Sequence, residues 1–235
     1  QNVAWKVAAA LGGGADAAVL DSYDDERRKP AWDMILLAVT MGNFVMPIGE
    51  EHLKFRELLM KALEPFPGVR DYLIQMRFKP KPRYLSGLFL DLDAPEFEAS
   101  LVGEMIPQPI LHRGEGTLLD SLLGPGFALI SQSDAGRQAL AGYGPSACLG
   151  LPLAKVHLGS DAAQGGAQDW PRGDAIARPL LTHRDRIMLV RPDRYCAASF
   201  APDDLASQME RYRSMLCRAS AASAGAPPTN VPALP

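Results

Sequence analysis

The stretch that most constrains the fold is Arg186-Ile187-Met188-Leu189-Val190-Arg191-Pro192-Asp193-Arg194-Tyr195-Cys196-Ala197-Ala198. Ile187 to Val190 is a short apolar run, the pattern of a strand buried on both faces. Arg191-Pro192-Asp193-Arg194 breaks it, because proline presets φ and aspartate bonds back to the backbone. Tyr195 to Ala198 resumes an extended pattern with an aromatic and small residues. The stretch predicts a β-hairpin in the core of an α/β domain and, taken alone, no chemistry.

The 235 residues suffice for one large or two small domains. Hydrophobic residues make up 47% and charged ones 22%, so a core can form and wholesale disorder is excluded. A net charge of −3 argues against a dedicated nucleic-acid binder, which needs a basic surplus to neutralise phosphates. Cys148, Cys196 and Cys217 are far apart, with no Cys-x-x-Cys. A disulfide framework, a zinc site and a dithiol redox centre are disfavoured, and reduced thiols in a cytoplasm are expected. No apolar run approaches the ~20 residues of a membrane span. The longest, Met34 to Val39, reads as a core helix segment. Gln1 is no start methionine and opens no charged leader region. Gln1 to Leu11 is already helical in pattern, apolar at positions 3, 4, 7, 8 and 11, with nothing before it to cap it. The chain therefore reads as the C-terminal piece of something longer.

Gly12-Gly13-Gly14 stops that helix, and Asp16 can cap a second, Ala17 to Arg28. Pro30 suits the first turn of a third, Trp32 to about Val45, with Met34, Ile35, Leu37, Ala38 and Met41 as its apolar stripe. Glu50 to Leu63 is a fourth, with Leu53, Phe55, Leu58, Leu59 and Leu63 facing inward. Val69 to Met76 is a short helix. Arg77 to Tyr84, held extended by Pro80 and Pro82, reads as a connector. The cluster of Asp91, Asp93, Glu96 and Glu98 reads as a solvated loop, since the glycine of a calcium loop is missing after Asp93. Pro107 to Leu111 is extended and Thr117 to Gly124 a short helix. Phe127 to Ile130 and Leu151 to Leu158 are strands, Ser133 to Leu140 and Asp203 to Leu216 helices. Strands interleaved with helices mean α/β. Gly159 to Asp174 reads as a surface loop, and residues after about Ala219 as a disordered tail.

Recognisable catalytic patterns are missing. Gly124-Pro125-Gly126 lacks the third glycine of a dinucleotide fingerprint and precedes a strand instead of following one. His52, His112, His157 and His183 show no metal-pair spacing. Gly144-Pro145-Ser146-Ala147-Cys148 fails the nucleophile-elbow pattern at its last glycine. No residue is assigned as catalytic, cofactor-binding or metal-ligating.

Several stretches, in order, resemble the C-terminal half of the FAD-dependent aromatic-ring monooxygenases. Asn2-Val3-Ala4-Trp5-Lys6 is similar to the helix after the family's second flavin motif. Leu20-Asp21-Ser22-Tyr23-Asp24-Asp25-Glu26-Arg27-Arg28 resembles its Leu-Leu-Asp-x-Tyr-x-x-Glu-Arg-Arg signature. Tyr72 to Pro80 is most like the branch acting on 3-(3-hydroxyphenyl)propionate. Pro107 to Pro109, Leu119 to Ile130 and Val190 to Ala198 resemble the family's thioredoxin-like tail domain.

The resemblance implies an α/β architecture: residues 1–76 as the helical C-terminal part of an FAD-binding domain, 77–102 as a linker, 103–218 as a thioredoxin-like domain and 219–235 as a tail. It implies ortho-hydroxylation of a phenolic acid in the cytoplasm, with FAD, NAD(P)H and O₂, the FAD being held mainly by a part of the protein outside this chain. Neither nucleic acid nor membrane is an expected partner, and a homodimer is left open. Asn2, Trp5 and Lys6 are expected as structural support beside the flavin region. Asp21, Tyr23, Glu26, Arg27 and Arg28 are expected to form a buried ion-pair and hydrogen-bond knot, and Cys196 to be packed. The alternative is a non-catalytic thioredoxin-like module for interaction or dimerisation.

Overall fold

A computed structural model describes residues 1–75, 83–111, 117–161, 166–167, 176 and 178–222. The chain divides into two compact units, Gln1–Asp25 with Tyr84–Pro235, and Glu26–Arg83.

The first unit is built on a five-stranded sheet. Ahead of it, β1 (Ile110–Leu111) pairs with β2 (Thr117–Leu118), and α5 (Leu119–Leu123) ends at Gly124, whose φ is +67°. Residues 117 and 118 are thus extended, and the expected helix begins two residues later. The central strand β3 (Phe127–Ser131) is buried along its whole length. It leads into α6 (Asp134–Gly142), capped by the Ser133 hydroxyl, which accepts from Gly136 N at 3.1 Å. A short β4 (Ala147–Cys148) turns into β5 (Leu151–His157), which lies parallel to β3. Ser160–Asp161 (β6) and Gly166–Ala167 (β7) form a two-stranded ladder inside the expected surface loop, most of whose other residues lie outside those described.

After a helical turn, α7 (Arg178–Leu181), the expected hairpin is present: β8 (Ile187–Val190) and β9 (Cys196–Phe200) are antiparallel and every residue in them is buried. The sheet order is β4-β5-β3-β8-β9, with β8 antiparallel to β3. Gly126 permits the β3–β5 approach: a Cβ there would stand 2.1 Å from the Pro152 carbonyl oxygen. The closing helix α8 (Leu205–Ala222) lays Leu205, Met209 and Tyr212 into the core. It takes in residues 219–222, where the tail was expected to start. Residues 223–235, and the connector expected over 77–82, lie outside the described residues.

Helix α1 (Asn2–Leu11) packs into this same unit. Trp5 meets Phe127 edge to face at 5.4 Å, and Phe127 meets Tyr212 at 6.1 Å. Such pairs contribute about 0.5–1.5 kcal/mol each beyond the area they bury. The buried face of α1 is Trp5, Lys6 and Ala9, while Val3, Val7 and Leu11 are exposed. The apolar stripe read from the sequence is therefore the outer face; one aromatic at position 5 decides which side meets the sheet. Gly14 then lies so close to the Leu149–Gly150 turn that a Cβ would come within 2.2 Å of its backbone. The Asp16 carboxylate caps as expected, accepting from Ala18 N at 2.8 Å, but it caps a 3-10 turn, Ala17–Leu20.

Helix α2 (Ser22–Val45) runs without a break through Pro30, which was expected to start a separate helix. Helices α3 (Glu50–Ala62) and α4 (Pro67–Ile74) follow in the second unit. No residue of α3 is buried, and Phe55 and Leu58 are 62% and 68% exposed. Met34, Ile35, Leu36 and Val39 are also exposed, so the longest apolar run is no core segment here. Helical periodicity marks one face but does not supply the layer that covers it. No single helix among the described residues is long and apolar enough to cross a membrane.

Candidate functional site

The turn between β8 and β9 holds a buried polar arrangement in the first unit. Arg194 N donates to the Arg191 carbonyl at 2.9 Å, closing the turn over Pro192 and Asp193. Arg194 then takes a left-handed φ of 71°, as hairpin loops of this kind require. Its guanidinium reaches the Asp120 carboxylate at 2.8 Å and the Gly124 carbonyl at 2.8 Å.

Folding the strand into the sheet carries Arg191 inside, where its side chain has no exposure. A buried guanidinium needs a partner for its charge and for its donors. Asp193, also buried, supplies both: Arg191 Nε donates to Oδ1 at 3.0 Å and an Nη to Oδ2 at 2.6 Å. The two-pronged geometry is that of strong arginine–carboxylate pairs. The guanidinium carbon lies 4.5 Å from the ring centre of Phe89, 5.1 Å from Trp5 and 5.8 Å from Tyr84. These rings offer π faces to the cation and exclude water.

Helix α1 closes the cluster. Asn2 Nδ2 donates to Asp193 Oδ2 at 2.9 Å across 191 positions of sequence. One turn on, Lys6 is buried and donates to Ser22 Oγ at 2.8 Å, whose hydroxyl donates to the Val19 carbonyl at 2.6 Å. Asn2, Trp5 and Lys6 are thus structural members of a packed helix. Of the residues expected in a buried knot, Glu26 is buried, whereas Asp21, Tyr23 and Arg28 are exposed. The buried charged residues among those described are Lys6, Glu26, Arg191 and Asp193. The turn chemistry was visible at Arg191-Pro192-Asp193-Arg194; the inward direction of Arg191 was not.

Ser131, Cys148 and Cys196 are sequestered. Ser131 Oγ lies 2.9 Å from His157 Nδ1 at the ends of two parallel strands, but Ser131 has no exposure and no substrate can reach it. Burial pushes the Cys148 thiol up to about 11, against the pull of Arg213. Cys196 is buried and donates its thiol to the Ala198 carbonyl at 3.3 Å. Among the described residues no group of three or more His, Cys, Asp or Glu is arranged to hold a metal ion. Gly14, the last of the Gly12-Gly13-Gly14 run, packs against the Leu149–Gly150 turn.

Residues 103–215 match the family model described as the HcaD C-terminal domain, and residues 1–38 match that of an FAD binding domain. The chain is 36% identical over 218 residues to the 3-(3-hydroxy-phenyl)propionate/3-hydroxycinnamic acid hydroxylase of Klebsiella pneumoniae (strain 342), an alignment covering 88% of this chain and 39% of that protein. It is 32% identical over 225 residues to the protein of the same name from Escherichia coli (strain K12), covering 92% of this chain and 40% of that one. The solved structure of aklavinone-11 hydroxylase, in a ternary complex with FAD and aklavinone, superposes with a TM-score of 0.59 at 24% identity, over 91% of this chain and 38% of that chain. That likeness is one of fold. The chain spans about two-fifths of the length of the curated relatives it matches.

Proposed function

This chain is similar along its length to the C-terminal part of the FAD-dependent aromatic-ring monooxygenases, and from that premise we infer that the complete protein hydroxylates a phenolic acid. The substrate class is that of 3-(3-hydroxyphenyl)propionate. One atom of O₂ enters the ring beside the existing hydroxyl, giving a catechol. The other leaves as water, with NAD(P)H supplying the two electrons. FAD supplies the oxygen activation when bound, and it is held mainly by residues outside this chain. The protein works in the cytoplasm.

The observation that carries the reading is the 36% identity over 88% of the chain, together with the matches of residues 1–38 to an FAD binding domain and of residues 103–215 to the HcaD C-terminal domain. A stand-alone interaction module is not favoured, because the matched relatives are hydroxylases. The exposed Val3, Val7 and Leu11 on α1 support the reading further, as an apolar face suited to packing against more protein. The parallel β3-α6-β5 unit, followed by the antiparallel β8–β9 hairpin and α8, supports a thioredoxin-like identity for residues 103–218.

The test is turnover by the complete protein. Given 3-(3-hydroxyphenyl)propionate, NADH or NADPH and isotopically heavy O₂, it is expected to release a catechol bearing a single heavy oxygen. Failure to label this or any related phenolic acid would overturn the reading.

A further inference from the structure

We propose that Arg191 and Asp193 are positioning residues, which set helix α1 of the FAD-binding segment against the C-terminal domain and thereby tune how tightly the complete protein holds FAD. The inference rests on the flavoprotein reading above and deepens it.

Three observations carry it. The Asp193 carboxylate is shared: Oδ2 accepts from the Arg191 guanidinium at 2.6 Å and from Asn2 Nδ2 at 2.9 Å. The same guanidinium lies 5.1 Å from the ring of Trp5, one turn further along α1. The first turn of the helix is thus held at two points by one ion pair. Just past its other end, Gly14 donates its N–H to the Ala9 carbonyl at 3.0 Å and meets the Leu149–Gly150 turn with no room for a Cβ. Contacts at both ends fix the position of α1 along its axis as well as its rotation about it. Residues 1–38 match an FAD binding domain, so the element being set belongs to the flavin-binding part, while Arg191 and Asp193 lie in the matched C-terminal domain.

A buried ion pair is a poor device for stability alone, because apolar residues of similar volume often serve as well or better. Its attested advantage is in fixing one register. Asn2, Trp5 and Arg191 make contacts that exist in only one placement of α1. A displaced helix takes the Asn2 donor away from the Asp193 carboxylate and the Trp5 ring away from the Arg191 guanidinium.

The test uses the complete protein carrying Asp193→Asn, Asn2→Ala and, as a control, Leu180→Ala. Leu180 is fully buried but lies by Gln132, past the end of β3 opposite Phe127 and Trp5. FAD dissociation constants come from fluorescence titration of the apoprotein, and amide exchange is followed in residues 2–11 and 127–131. Coupling between sites of this kind is typically about 5- to 150-fold. Asp193→Asn and Asn2→Ala are expected to weaken FAD binding within that range and to speed exchange in α1 while leaving β3 protected. Leu180→Ala is expected to lower Tm without moving the FAD constant. Reduced Tm in all three variants with one common FAD constant would overturn the positioning role and leave the flavoprotein reading standing. An unsubstituted protein that takes up no FAD would overturn both.

Discussion

Replacing Asp193 with alanine removes both acceptors of the Arg191 fork and leaves a guanidinium with no exposure. The Leu88 carbonyl, 3.5 Å from an Arg191 Nη, and the rings of Phe89, Trp5 and Tyr84 are weak replacements for a carboxylate. Breaking a buried pair from one side costs about 3–5 kcal/mol. For a domain of 150–250 residues, each kcal/mol moves Tm by about 2–4 °C. The expected fall is therefore about 6–20 °C, read by thermal denaturation in near-ultraviolet circular dichroism. Salt should not restore it, since screening barely reaches a buried charge. The double variant Arg191→Met with Asp193→Leu removes the charge along with its partner and should recover much of the loss. A fall below about 2 °C for Asp193→Ala, or a double variant worse than the single one, would refute the claim that the pair is buried and mutually dependent.

Further predictions follow from single contacts. The Cys148 thiol, pushed up by burial to about 11 from the usual 9.0, stays protonated in the fold after its unfolded counterpart ionises. Its stabilising contribution is full below pH 9 and is lost as pH rises toward 11, by about 2–3 kcal/mol. Cys148→Ala should flatten that alkaline decline in a denaturant titration; an unchanged slope counts against the assignment. Gly126→Ala places a Cβ 2.1 Å from the Pro152 oxygen, so it should cost about 1–3 kcal/mol or more by prising β3 from β5; a neutral result in urea unfolding would contradict the close strand approach. Arg194 holds a φ of 71°, a strain of about 1–2 kcal/mol that glycine would relieve while losing the Asp120 and Gly124 contacts. Arg194→Gly should thus be near neutral and Arg194→Ala clearly destabilising; equal losses in the two would refute that balance.

The parts of the fold legible in the sequence were those set by local rules. The run Ile187–Val190 and the turn after it gave β8, the turn and β9, because an apolar run and a proline-aspartate break act over a few residues. The Asp16 cap was legible for the same reason. What could not be read was set by long-range packing. Trp5, not the wider stripe of Val3, Val7 and Leu11, chooses the buried face of α1, because Phe127 is its partner from more than a hundred residues away. Arg191 reads only as a residue of the turn until the sheet, Trp5, Tyr84 and Phe89 enclose it. Pro30 reads as a helix start because proline favours a first turn, yet α2 continues through it. Leu53, Phe55 and Leu58 have the spacing of a core face, yet they are exposed among the described residues.

The proposal that FAD is held mainly outside this chain is tested most directly by flavin stoichiometry. Absorbance after purification is expected to show about one FAD per molecule in the complete protein and none in residues 1–235 alone. Stoichiometric FAD on the 235-residue chain, or its absence from the complete protein, would contradict the account.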